Sequence, residues 1–235
     1  MNHYLQNPPA FEAYGTQHLV SLLVGAIILV WLLVTSRSGK FPRLEKAHIW
    51  IMVACLGVCW PLNFWIYPIM GYLRPWPMHL CDLAGFCGMI ALLTRGKRRI
   101  FVELTYFWGL AGTINGLITP DLAAGFPHPR FWGFFLLHLG VVITAIWLVA
   151  GMRAYPRRGS VWKVFGITQI YVLVAGLVNL LTGHNYGFLR HKPENVEGSL
   201  LDLLGPWPIY ILWLELVALG LFWLLYMPFV RRNRS

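Results

Sequence analysis

Seven apolar stretches, at about residues 17–36, 46–67, 77–94, 99–119, 131–151, 161–182 and 207–229, each approach the roughly 20 residues a helix needs to cross a bilayer. A backbone in lipid must satisfy its own hydrogen bonds. Long runs without strand-like alternation therefore predict helices rather than a barrel. Composition agrees: 57% of the residues are apolar and 12% charged, against about 45–50% and about 25% in soluble domains. The expected fold is all-α, a seven-transmembrane-helix bundle. Residues 17–230 form one membrane domain, preceded by an extracytoplasmic leader at 1–16 and followed by a basic tail at 231–235.

The net charge of +10 would suggest nucleic acid in a soluble protein. Its distribution excludes that partner. Arg37, Lys40, Arg43 and Lys46 lie at the first connection, and Arg95, Lys97, Arg98 and Arg99 at the third. Arg153, Arg157, Arg158 and Lys163 follow at the fifth, with Arg231, Arg232 and Arg234 at the C-terminus. Only Arg74, Arg130, Arg190 and Lys192 fall on the other side. The positive-inside bias puts the N-terminus outside and the C-terminus in the cytoplasm, as for a multi-pass protein of the cytoplasmic membrane whose partners are its lipids. The leader lacks a charged n-region and a small-residue cleavage site, so the first helix is expected to stay attached.

Strongly polar side chains inside spans are expensive and ask for a purpose. Counted at about 1.5 Å per residue, Asn63, Cys81, Asp82, Asn115, His138, Asn179 and Glu215 lie roughly 5–12 Å below the outer end of their helices. The inner half has almost none beyond Glu103. Pointing inward, these groups would line one outward-opening cavity, completed by Asp121, His128, Arg130, His184, Asn185, Arg190 and His191 from two long outer loops. Scattered interhelical hydrogen bonds are the plainer account of any one of them.

The stretch "PWPMHLCDL" at 75–83 concentrates the chemistry. Proline favours the first helical turn, so with Pro77 opening the third span His79 falls in that turn and Cys81 just beyond it. There the positive end of the helix dipole favours a thiolate. At about 100° per residue, His79 lies about 60° from Asp82 and can pair with it, whereas Cys81 is about 160° away. His138, from the fifth span at similar depth, is the better base for Cys81, with Asp82 as orienting group or as partner of His79. Cys81, Gly85 and Gly88 form a stripe that either admits a neighbouring helix or leaves a slot for a hydrocarbon chain. His128, Arg130, Arg190, His191 and Lys192 either anchor the chain at the interface or recognise a phosphate-bearing headgroup. Cys55 and Cys59 share one helix face without His or carboxylate at matching spacing, and neither a metal nor a cofactor is expected.

At these residues the chain resembles the YwaF-type bacterial integral membrane proteins, related to the animal transmembrane protein 164 acyltransferases. The resemblance rests on "MHLCDLAGF" (78–86), "ELTYFWGLAGTINGLITPDL" (103–122), "FPHPRFWGFFLLHLG" (126–140), "NYGFLRHKP" (185–193) and "LLDLLGPWPIYILWLEL" (200–216), and it covers about residue 45 onward. It implies a seven-helix fold similar to the androgen-induced and fatty-acid-ester hydrolases, which pair a threonine nucleophile with a histidine on another helix. In the animal acyltransferases a cysteine takes the nucleophile position. The matching residues here are Cys81 and His138, and Asp82 stands where the animal pattern has a histidine after the cysteine.

Two functions follow as expectations. The favoured one is an enzyme, an intramembrane acyltransferase or lipid hydrolase acting on phospholipid or lysophospholipid acyl esters. Catalysis falls to Cys81, His138 and Asp82. Substrate binding falls to His79, Asn115, Asp121, His128, Arg130, Asn185, Arg190, His191 and Glu215. The alternative is a transporter or sensor that binds a small molecule or lipid in the same cavity without covalent chemistry.

Overall fold

The computed structural model describes residues 9–66, 76–193 and 200–232. The start of the leader, Arg74, the Asn63 side chain and the last three residues of the basic tail lie outside the described residues. Among those described the chain is helical, with no strand beyond an isolated bridge between Ala10 and Ala124. Its long helices, in chain order, are α1 (Thr16–Ser38), α2 (Pro42–Ile66), α3 (Leu80–Leu93), α4 (99–118), α5 (Pro129–Gly151), α6 (Ser160–Thr182) and α7 (Ile209–Val230). Five of these, α1, α2, α5, α6 and α7, are long and apolar enough to cross a membrane. The protein is a multi-pass membrane protein.

Helix α3 is shorter than the sequence suggested. It has 14 residues, about 21 Å at 1.5 Å per residue, because it starts at Leu80 and not at Pro77. The start is fixed by a reciprocal cap. The His79 ring accepts the Asp82 backbone N–H, and the Asp82 carboxylate accepts the His79 backbone N–H at 3.0 Å, satisfying two donors that a helix end otherwise leaves open. Helices α4 and α5 also depart from regularity: Trp108–Thr113 and Trp147–Gly151 are π-helical. Such turns add a residue without altering composition, which is why an apolar run conceals them.

Burial separates an inner set from a rim. The apolar window of α5 is 67% buried, against 17% in α1 and α7, and α3 packs against α2, α4 and α5. The Gly85 and Gly88 stripe is filled: a Cβ on Gly85 would lie 3.0 Å from Leu137, and one on Gly88 would lie 3.4 Å from Thr105 and Thr144. The stripe is a helix contact, not an acyl slot. Outward faces remain apolar, as at Leu23, Ile27, Leu173, Leu180, Leu212 and Leu216, as expected of surfaces solvated by lipid tails.

The basic connections meet at one end of the bundle. Arg37 Nε donates to the Ala150 carbonyl at 3.1 Å, and the Arg232 guanidinium lies 3.8 Å over the Tyr155 ring. The strongest tie is Arg157 to Glu103. The Arg157 backbone N–H and Nε both donate to Oε1, at 3.0 and 2.8 Å, and Nη2 donates to Oε2 at 2.9 Å. These hydrogen bonds raise the pKa of Arg157 further above its already high ordinary value, so the guanidinium stays charged at physiological pH. Glu103 is fully buried while the Arg157 side chain is 48% exposed, so the two truncations should be unequal. Glu103→Gln is expected to lose about 1–3 kcal/mol. Arg157→Ala leaves a buried carboxylate uncompensated and is expected near the lower end of about 3–5 kcal/mol, since half the guanidinium already sees solvent. Thermal unfolding in detergent checks the order; equal losses would contradict it.

Candidate functional site

At the end opposite the basic connections, four helices and one loop meet around the start of α3. The loop is held first. Asn179, fully buried near the end of α6, exchanges two hydrogen bonds with the Tyr186 backbone: its Oδ1 accepts the Tyr186 N–H at 2.7 Å and its Nδ2 donates to the carbonyl at 2.9 Å. This is a local staple rather than a cavity lining. Asn185 shapes the next turn, its Oδ1 accepting the Arg190 N–H at 2.9 Å and its Nδ2 donating to the His191 carbonyl at 2.8 Å. Arg190 Nη1 donates to Gly183 O at 2.6 Å, and the Tyr210 hydroxyl from α7 donates to Phe188 O.

That loop sits on the α3 cap. The Tyr186 and Phe188 rings lie 5.4 and 5.8 Å from the His79 ring, and the Tyr171 hydroxyl of α6 donates to Met78 O at 3.2 Å. Tyr171 is buried. Sequence reading missed Tyr171 and Tyr186, because each is one aromatic among many and only tertiary packing singles it out. Cys81 occupies the first turn of α3 and is half-buried, whereas Cys59 and Cys87 are buried.

His138 is oriented by its own helix. Its Nδ1 lies 2.8 Å from the Phe134 carbonyl and its ring stacks on Phe134 with centroids 4.1 Å apart. A carbonyl only accepts, so Nδ1 carries the hydrogen and Nε2 carries the lone pair. The ring is seated on α4. A Cβ on Gly116 would lie 2.6 Å from His138 Cδ2 and 2.8 Å from Nε2, distances that only a glycine permits. One turn earlier, a Cβ on Gly112 would lie 3.2 Å from Leu80 Cδ2. Positions i and i+4 are neighbours on one helix face, about 5–6 Å apart. Gly112, near the end of the π-helical turn of α4, thus receives Leu80, the residue before Cys81, and Gly116 receives the His138 ring. The pair of glycines was readable as a small-residue spacing in "GLAGTINGL" (109–117), but nothing in the sequence showed what it receives.

The remaining residues sit as follows. Asn115 Nδ2 donates to Ala111 O at 2.8 Å within its own helix, which leaves the second amide hydrogen for another acceptor. His128 caps α5, its Nδ1 accepting the Arg130 N–H at 3.2 Å, and Asp121 lies half-buried on the preceding connection. Glu215 is apart from the α3 cap: its Oε2 accepts from Gln169 Nε2 across the α6–α7 contact. Sequence reading identified the carboxylate and missed Gln169.

The profile of the TMEM164 family matches residues 13–226. Multidrug transporter MdfA from Escherichia coli O6:H1 and from Escherichia coli O157:H7 are each 24% identical over 145 residues, 60% of this chain. The chain spans about a third (34%) of the length of these curated relatives. No solved structure matches.

Proposed function

Because the chain belongs to the TMEM164 family, we propose that it is an intramembrane cysteine-dependent acyltransferase or lipid hydrolase of the cytoplasmic membrane. It crosses seven times, N-terminus outside, and belongs to the YwaF-type bacterial branch. The observation that carries this reading is the Gly112–Gly116 face of α4, against which Leu80 and the His138 ring both pack. It supports a thiol and an imidazole meeting from different helices.

In this reaction Cys81 gives its proton to His138 Nε2, and the sulfur attacks the ester carbonyl of a phospholipid. The ester C–O bond breaks, the lysophospholipid oxygen takes the proton from His138, and the acyl chain remains on sulfur as a thioester. An acceptor hydroxyl, or water, then surrenders its proton to His138, attacks the thioester, and returns the thiol. The second amide hydrogen of Asn115 or a backbone N–H steadies the oxyanion. Asp82 holds the helix start that carries the sulfur through its bond to His79. His79, Asp121, His128, Arg130, Asn185, Arg190 and His191 surround the headgroup end. Incubation with phospholipid vesicles followed by intact-mass measurement tests this. A hydroxylamine-labile adduct of one acyl chain on Cys81 supports it, and an unmodified wild-type protein overturns it.

One observation favours a second reading. The Glu215–Gln169 pair places a carboxylate between α6 and α7, and intramembrane carboxylates mark transport pathways; the curated relatives are named as transporters. A non-covalent transporter or sensor predicts that Glu215→Gln abolishes function while Cys81→Ser preserves it. The opposite pattern, with loss in Cys81→Ser, removes this reading.

A further inference from the structure

At the basic end lies a cleft of about 390 Å³, lined by Ser36, Arg37, Gly39, Glu45, Arg95, Gly151, Met152 and Arg153. Its three arginines come from three different parts of the chain, Arg37 from the last turn of α1 and Arg95 and Arg153 from the connections after α3 and α5. One carboxylate opposes them, so the lining carries an excess of positive charge. Interfacial anchoring by basic residues explains a basic end in general, but it asks only that each residue reach the headgroups separately. Convergence on one cleft is a further fact.

The backbone holds that convergence in place. Arg95 and Arg153 have φ of 48° and 57°, the left-handed region that residues with a Cβ avoid. Each sits where a glycine would be at ease. The neighbouring connections are locked together: a Cβ on Gly96 would lie 2.7 Å from the Ala154 Cβ, and the Glu103–Arg157 bonds pin the connection between α5 and α6. Arg37 uses Nε on the Ala150 carbonyl, which orients its guanidinium over the same connection. Unfavourable backbone conformations persist where the surroundings over-determine them, and they cluster at ligand sites.

We infer that this cleft is a second binding site, separate from the α3 cap, that takes a phosphate-bearing anion on Arg37, Arg95 and Arg153. Planar guanidinium forks match phosphate oxygens better than lysines do. The anion is either the headgroup of an acidic lipid in the leaflet at this end or free phosphate, since both present the same oxygens.

The test uses the full chain in detergent and native mass spectrometry with two probes, phosphatidylglycerol and inorganic phosphate. The cleft variant is Arg37→Gln, Arg95→Asn, Arg153→Asn, because asparagine tolerates positive φ better than most residues. A matched variant, Lys46→Gln, Lys97→Gln, Lys163→Gln, removes the same charge from the same end outside the cleft. A single Arg37→Gln variant keeps the test valid if the triple cleft variant misfolds. Binding of phosphatidylglycerol is expected to fall about fivefold for each arginine removed, and to change less than about twofold in the matched lysine variant. If inorganic phosphate shows that dependence and the lipid does not, the same site serves a soluble anion. If neither probe separates the cleft variants from the lysine variant, the site does not exist and the arginines act only as surface charge.

Discussion

Cys81→Ser is expected to leave no hydroxylamine-labile acyl adduct after incubation with phospholipid, while His138→Gln still forms one, about 10²–10⁴-fold more slowly. A serine hydroxyl is a far weaker nucleophile than a thiol and needs a stronger base than one imidazole held by a carbonyl. The chain tests the assignment internally, because it has three other cysteines. Cys59 and Cys87 are buried and Cys55 is half-buried on α2. None of the three lies in the first turn of a long helix. Site mapping of the adduct therefore decides: label on Cys55, Cys59 or Cys87 that persists in Cys81→Ser would assign the wrong sulfur. Wild-type rates retained in His138→Gln would remove the histidine from the reaction.

Gly116→Ala should be nearly as damaging without touching either reacting group. Its new methyl would meet His138 Cδ2 at 2.6 Å and Nε2 at 2.8 Å, closer than real contacts allow, so the ring must leave its stacked position on Phe134. A displacement near 1 Å of a catalytic group costs about 10²-fold in rate, and that loss is the expected result, with thermal stability little changed because a side chain rather than backbone gives way. Gly166→Ala on α6 is the control, since nothing lies within 4 Å of the added carbon. A Gly116→Ala protein as active as wild type would show that the position of His138 does not matter, and with it the proposed chemistry would fall.

How much of this was legible in the sequence depends on the kind of feature. Apolar runs located the helices well, because lipid imposes length and composition together. They also joined 77–79 to α3, since proline signals a helix start and the sequence offers no usual cap. Histidine at the N-cap with aspartate three residues on is a capping box in an unusual alphabet, and only the bonds of His79 and Asp82 reveal it. Polar residues inside spans were correctly seen as needing partners. Which partners they have was not readable: Glu103 takes Arg157 from 54 residues away, Glu215 takes Gln169, and Asn179 takes the Tyr186 backbone. Several residues assigned by depth to one cavity have local duties, Asn179 and Asn115 above all, because depth along a helix says nothing about azimuth.

The brevity of α3 has a consequence for the bilayer itself. A rod of about 21 Å in a hydrocarbon layer about 30 Å thick is mismatched by about 9 Å. Its longer neighbours fix the bundle across the full thickness, so the deficit collects at the capped end of α3, where Asp82 and the loop cover it. Asp82 is only 3% exposed there, so the missing depth is filled by the protein itself, with the Tyr186 and Phe188 rings over His79. Under the proposed reaction, an ester linkage would meet Cys81 at this recessed, loop-covered helix end rather than at the bilayer surface.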